Sequence, residues 1–254
     1  MELESYIRDR CREKGILLMT HIMLGYPSFE ECFHIIEAMV KAGADLMELQ
    51  IPFSEPIADG PTILRANQVA LENGVGVEKC LDFAADVANT FEIPFLIMTY
   101  FNIVFRYGLN SFISAMADNK LQGAIIADLP PEEAGDYLRA MKDANLHPIF
   151  MFSPTTGDER MRHIASLGRG FIYCVARKGV TGARTNFSEG LAHYLARCRR
   201  ATSLPLAVGF GVKEKRDVSF LRGRAHIAVI GSQAIRVIEE QGIHGVESFI
   251  KGLR

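Results

Sequence analysis

Residues 46–61 read LMELQIPFSEPIADGP. The first seven are apolar apart from Glu48 and Gln50, and the rest form a stiff stretch in which Pro52, Pro56, Gly60 and Pro61 surround a second carboxylate, Asp59. A short apolar run closed by Pro and Gly reads as a strand. Its near-continuous apolar character, in place of a strict alternation, is that of a strand covered on both faces, as in a parallel sheet flanked by helices.

Seven further runs share this character, at 17–24, 94–100, 123–129, 147–153, 171–177, 204–210 and 226–231. Amphipathic segments of crossover-helix length lie between them, at 29–42, 68–90, 109–119, 131–144, 158–167 and 187–201. Ser28 with Glu31 three residues on forms a capping box, Gly43 can close the same helix in a left-handed conformation, and Pro131 suits a helix first turn. Eight alternations could build a doubly wound open sheet or a closed barrel. The count of eight, with no G-x-G-x-x-G after the first strand, favours a single (β/α)8 TIM barrel. One domain over 1–254 is expected, with an extra N-terminal helix that plugs or flanks the barrel floor.

Composition narrows the function classes. A net charge of -2 gives no field that would attract nucleic acid or an anionic membrane, so a small ligand or a protein is the expected partner. The five cysteines, Cys11, Cys32, Cys80, Cys174 and Cys198, are odd in number and form no C-x-x-C pair, which argues against a disulfide framework or a zinc site and for a reducing cytoplasm. The charged stretch at 2–14 is no signal peptide and no apolar run reaches bilayer length, so a soluble, unsecreted chain is expected.

Ligands of such barrels bind at the C-terminal ends of the strands. Glu48 lies inside the second apolar run, where an unpaired charge is costly; it is paired with a cation of the barrel floor or points into a cavity as a proton-transfer group. The residues alone leave these two even. Asp59 is a turn aspartate or a held functional group. Glycines follow the last three runs, at Gly179 and Gly182, at Gly209 and Gly211, and at Gly231 before Ser232, where a helix over 233–240 begins. Backbone N–H groups at these places commonly bind phosphate. No H-E-x-x-H, G-x-S-x-G or P-loop is present, so no metal site is expected. His21 ends the first run within reach of the site, although a core or hydrogen-bonded histidine is the commoner role, and Lys178 falls in a loop where solvated lysines are common.

The run ELQIPFSEPIADGPTI at 48–63 closely resembles the signature of the tryptophan synthase alpha subunit family. AGAD (42–45), MTYFN (98–102), ADLPPEE (127–133), PIF (148–150), GVTGAR (179–184), VGFG (208–211) and IGSQAI (230–235) continue the resemblance in order across nearly the whole chain. It implies a (β/α)8 fold and cleavage of indole-3-glycerol phosphate to indole and glyceraldehyde 3-phosphate in tryptophan biosynthesis, without metal or organic cofactor. Glu48 then matches the acid/base and Asp59 the carboxylate holding the indole N–H. Gly182, Phe210, Gly211, Gly231 and Ser232 match the phosphate grip, Tyr100 and Tyr173 the surroundings of the indole, and Thr181 a loop residue that organises the acids on closure. Ile125 or Ala127 supplies an aliphatic wall.

The resemblance also implies a pyridoxal-phosphate-dependent beta subunit as partner in an α2β2 assembly, met through Asp128, Pro130 and the loop 52–60, with the pyridoxal phosphate in that partner alone. Four positions depart from the family pattern: Glu55 for Asp, Gln50 for Gly, Tyr26 for Asp, and His21 for Phe. They leave open a weakly catalytic barrel that mainly binds and activates a beta subunit. A third reading, a sugar-phosphate isomerase barrel, shares the glycines and leaves 48–61 unexplained.

Overall fold

The computed structural model of the chain describes residues 2–176, 189–209 and 211–254. Eight parallel strands close into a barrel in sequence order: β1 (Leu17–Met23), β2 (Leu46–Gln50), β3 (Phe95–Thr99), β4 (Gly123–Ile126), β5 (His147–Phe152), β6 (Ile172–Val175), β7 (Leu206–Gly209) and β8 (Ile227–Ile230), with β8 pairing back onto β1. All eight expected strands are present. Each begins or ends within three residues of its apolar run, because the terminal residues of the runs belong to the turns.

Alternate residues of each strand face opposite ways. One set, with Leu17, Met19, Leu46, Leu96, Ile125, Ile149, Phe171, Tyr173, Ala207, Ile227 and Val229, packs together as the barrel interior. The other, with Leu18, Ile22, Met47, Leu49, Ile97, Ala124 and Cys174, joins the larger apolar layer beneath the helices. Burial on both faces is why the runs read as continuous. The five cysteines are free, and four of them are buried.

Helix α1 (Leu3–Lys14) sends Leu3 and Ile7 into the interior cluster and so plugs the floor. Helix α2 (Phe29–Lys41) starts at Ser28, whose Oγ accepts from Glu31 N at 3.1 Å, and the chain leaves it through Gly43 at φ +101. The segment 68–90, read as one helix, is two: α3 (Pro61–Glu72) and α4 (Val77–Thr90), parted at Asn73, Gly74 and Gly76, where Gly74 takes φ +72. Helix α5 (Phe101–Tyr107), unforeseen, precedes α6 (Leu109–Asp118). Pro131 opens a 3-10 turn (Pro131–Glu133) ahead of α7 (Gly135–Asp143). Then come α8 (Asp158–Leu167), α9 (Glu189–Ala201), α10 (Lys215–Leu221), also unforeseen, and α11 (Ser232–Gly252), which is interrupted at Gly242.

The floor is tied by Asp45, just before β2. Its fully buried carboxylate meets Lys14 Nζ at 2.5 Å, Arg254 Nη2 at 2.5 Å and the backbone N–H of Leu18 at 2.9 Å. One side chain thus fastens α1, the last residue and β1 together. Removing one member of a buried charge cluster leaves the others uncompensated, at a cost of about 3 kcal/mol. Asp45→Ala is expected to lower unfolding stability by about that amount, read from urea denaturation. A loss below about 1 kcal/mol would show that the cations reach water instead.

Candidate active site

The inner residues of β1 and β2 build the mouth of the barrel. Leu46 packs in the interior cluster, so the two-residue period sends Glu48 and Gln50 to the same side, farther along the strand. Both are buried. His21 of β1 is the register partner of Glu48, and its Nδ1 lies 3.0 Å from Glu48 Oε1. Glu48 therefore pairs at the mouth with a histidine, while the floor cations are taken by Asp45. Among the described residues, neither Glu48 Oε2 nor His21 Nε2 has a hydrogen-bond partner.

Asp59 reaches the same region from the loop after β2 and is buried. Gln50 Nε2 donates to Asp59 Oδ2 at 2.6 Å. Burial pushes the Asp59 carboxyl above its ordinary range, and the negative charge of Glu48 adds to this; the Gln50 amide, His21 and the Tyr100 hydroxyl pull the other way. The two carboxylates thus feel one another inside one poorly solvated pocket.

The loop that carries Asp59 is held at several points. Phe53 N donates to Asn67 Oδ1 at 2.8 Å, and Asn67 Nδ2 donates back to Phe53 O at 2.5 Å. Ala58 N donates to the Tyr100 hydroxyl at 3.1 Å, and the Phe53 and Tyr100 rings stack with centroids 5.2 Å apart. Tyr100 is fully buried between β3 and α5; desolvation first, and then the charge of Asp59, raise its phenol well above the usual value. At the end of β4, Asp128 Oδ1 accepts from Phe101 N at 2.6 Å, which fixes the start of α5 beside Tyr100.

Tyr173, an inner residue of β6, closes the far wall. Burial raises its phenol, with Glu48 and Asp59 both adding, which places it within the field of the two acids. Its ring lies so close to Gly209 that a Cβ there would come within 2.3 Å of the tyrosine hydroxyl. This is the close approach that only glycine permits. Gly211 takes φ +113, and Gly231 sits directly before α11, where a Cβ built on it would lie 4.0 Å from His21 Cβ. The start of α11 at Ser232 is thereby set beside β1. Ile125 packs in the interior cluster, and Ala127 follows the end of β4.

Of the expected site residues, Glu48, Asp59, Tyr100 and Tyr173 meet through contacts or shared fields, and Gly211, Gly231 and Ser232 lie at the same ends of β7 and β8. Thr181, Gly182 and Phe210 lie outside the described residues. Sequence reasoning missed the grips of Gln50 on Asp59 and of Asn67 on Phe53. A polar residue on the buried side of α3 was the one available signal for Asn67. Among the described residues no group of three or more His, Cys, Asp or Glu is arranged to hold a metal, and no helix is long and apolar enough to cross a membrane.

A closed parallel barrel with two buried carboxylates and clustered glycines at the C-terminal ends of its strands defines the class: a (β/α)8 barrel whose mouth is equipped for acid–base chemistry. The chain belongs to the tryptophan synthase alpha chain family, whose sequence model matches residues 8–251. The tryptophan synthase alpha chain of Desulforapulum autotrophicum is 61% identical over 251 residues, 99% of each chain, and that of Syntrophotalea carbinolica is 57% identical over 252 residues, covering 99% of this chain and 100% of that one. Among solved structures, a chain of Mycobacterium tuberculosis tryptophan synthase superposes with a TM-score of 0.92 at 30% identity, covering 99% of this chain and 96% of that one.

The raised Asp59 carboxyl has a stability consequence. A carboxylate whose folded value lies above its unfolded value costs the native state stability once pH exceeds the unfolded value, and this cost is absent in acid. Asp59→Asn keeps an acceptor for Gln50 and removes the charge. The variant is expected to melt higher than the parent at neutral pH, with the gain shrinking as pH falls through the carboxylate range. A gain that does not change with pH would contradict the burial cost.

Proposed function

We propose that the chain cleaves indole-3-glycerol phosphate to indole and glyceraldehyde 3-phosphate, with Glu48 as general acid/base and Asp59 holding the indole N–H. The observation that carries this reading is the pair of buried carboxylates in unlike settings at one barrel mouth, in a chain of this family. Protonating the ring carbon makes an indolenine-like cation. Asp59 is the negative group suited to stabilise it, in a pocket where water does not dilute the interaction. The carbon–carbon bond then breaks as the adjacent glycerol hydroxyl loses its proton and becomes the aldehyde. One proton enters at the ring carbon and one leaves the hydroxyl, so a single carboxyl with one free oxygen can serve both transfers.

Tyr100 and Tyr173 supply flat apolar walls for the indole, with Ile125 or Ala127 opposite. The phosphate is assigned to the N–H groups about Gly182, Phe210, Gly211, Gly231 and Ser232. The start of α11 supports this, since the first N–H groups of a helix are unpaired and attract anions. Thr181 is assigned to organising the acids on closure.

The chemistry asks for no cofactor on this chain. A beta subunit is proposed as partner in an α2β2 assembly, with pyridoxal phosphate held there; the family name and the solved tryptophan synthase that this chain resembles support it. Ile57, exposed in the loop 52–60, offers that partner an apolar contact. A single unit over 1–254 and a cytoplasmic setting complete the proposal, and the free cysteines support the latter.

The test is release of indole from indole-3-glycerol phosphate, measured with and without a beta subunit. Glu48→Gln is expected to reduce turnover about 10³-fold while the melting profile stays that of a folded protein. Normal turnover in that variant would overturn the assignment of Glu48. Full stimulation of a beta subunit by a parent chain that releases no indole would establish the binding-subunit reading in its place.

A further inference from the structure

His21 is buried at the mouth, on a strand paired in register with the one that carries Glu48, and faces it at 3.0 Å. Two adjacent barrel strands have little freedom to slide, so the register keeps the two side chains beside one another on the inner side of the barrel. It occupies Glu48 Oε1 and leaves Oε2 without a hydrogen bond among the described residues. A buried histidine serving packing alone needs no carboxylate, and a buried carboxylate needing only charge balance would be served by lysine or arginine. An imidazole differs from both in that a single ring N–H, fixed by the plane of the ring, can hold one carboxylate oxygen and leave the other open.

We propose that His21 is a positioning residue for Glu48: by holding Oε1 it leaves Oε2 as the one oxygen that exchanges a proton with bound substrate. This rests on the reading of Glu48 as the acid/base. In the cycle Glu48 Oε2 gives a proton to the ring carbon and receives one from the glycerol hydroxyl, while His21 keeps its Nδ1 proton throughout, so the pair ends as it began.

Among the described residues, the other titratable groups facing this pair are Asp59 from the loop after β2, which feels the charges of His21 and Glu48, and Tyr173 from β6, which feels both acids. Just after β8, Gly231 lies beside His21 and brings no titratable side chain there. The charges of α3 and α11, Arg65, Arg236 and Glu239, are engaged with one another, Thr62 and Tyr26. Those of α1 lie at the other end of β1, where Lys14 meets Asp45. Helix α2 packs on the outer side of that strand, under residues such as Ile35 and Met39.

The test compares His21→Phe and His21→Asn with the parent across the neutral pH range. His21→Phe removes the donor and is expected to lower kcat about 10- to 100-fold, as for a misplaced catalytic group, with KM changed less than about threefold. His21→Asn restores an N–H near the position of Nδ1 and is expected to recover most of kcat. Independently of turnover, the His21 Nδ1–H resonance followed by NMR is expected to move upfield in Glu48→Gln, because the carboxylate oxygen that accepts from it is replaced by a weaker, uncharged acceptor. The proposal is overturned by parental kcat in both variants, by a His21→Asn as slow as His21→Phe, or by an unmoved His21 Nδ1–H resonance in Glu48→Gln. Activity surviving in Glu48→Gln would instead overturn the assignment of Glu48 itself.

Discussion

Closing eight parallel strands into a barrel forces every second side chain into a space from which most water is excluded, and any charge on that side must be compensated within a few ångströms. The rest of this structure follows from how β2 meets that demand. Its inner residues are Leu46, Glu48 and Gln50, one apolar and two polar, running from the packed interior toward the mouth. The strand therefore begins in the core and ends in the site, and its neighbours supply what the two polar residues lack.

Two buried carboxylates three residues apart, one just before β2 and one inside it, are treated in opposite ways. Asp45, before β2, is saturated: two cations and a backbone N–H converge on it. Glu48, three residues later, has one oxygen gripped by a histidine and the other without a partner among the described residues. The first arrangement lowers the energy of the native state and holds the floor closed. The second leaves one carboxyl oxygen at the barrel mouth without a hydrogen bond among the described residues. Barrels divide along this line in general, with stability at the N-terminal face and reaction at the C-terminal one.

Much of the fold was legible because two-sided burial makes parallel strands apolar along their length, and all eight runs became strands. The joints were less legible. The break at Asn73 to Gly76 fell inside an amphipathic pattern that continues on both sides of it, and α5 and α10 are too short to show a period clearly. Glu48 and Asp59 stood out as acids in the wrong surroundings for ordinary surface residues. Their partners did not, because the pairing of His21 with Glu48 and the clamp of Asn67 on Phe53 join residues separated by whole elements; nothing local announces them. Gln50 is the instructive case. Only two positions from Glu48, it was visible as a departure from the family pattern, yet its donation to Asp59 depends on a loop folding back over the strand end.

Register binds these features together. Met47 and Leu49, the outward neighbours of Glu48 and Gln50, lie in the apolar layer between sheet and helices. A slip of one residue along β2 would turn Glu48 and Gln50 into that layer and bring Met47 and Leu49 into the mouth, exchanging two paired polar groups for two buried unpaired ones. The same slip would part Glu48 from His21, Gln50 from Asp59, and Leu46 from the interior cluster. Fold and site thus penalise the same error. The placement of the acids is no later addition to a finished barrel; it is enforced by the alternation that makes the barrel close.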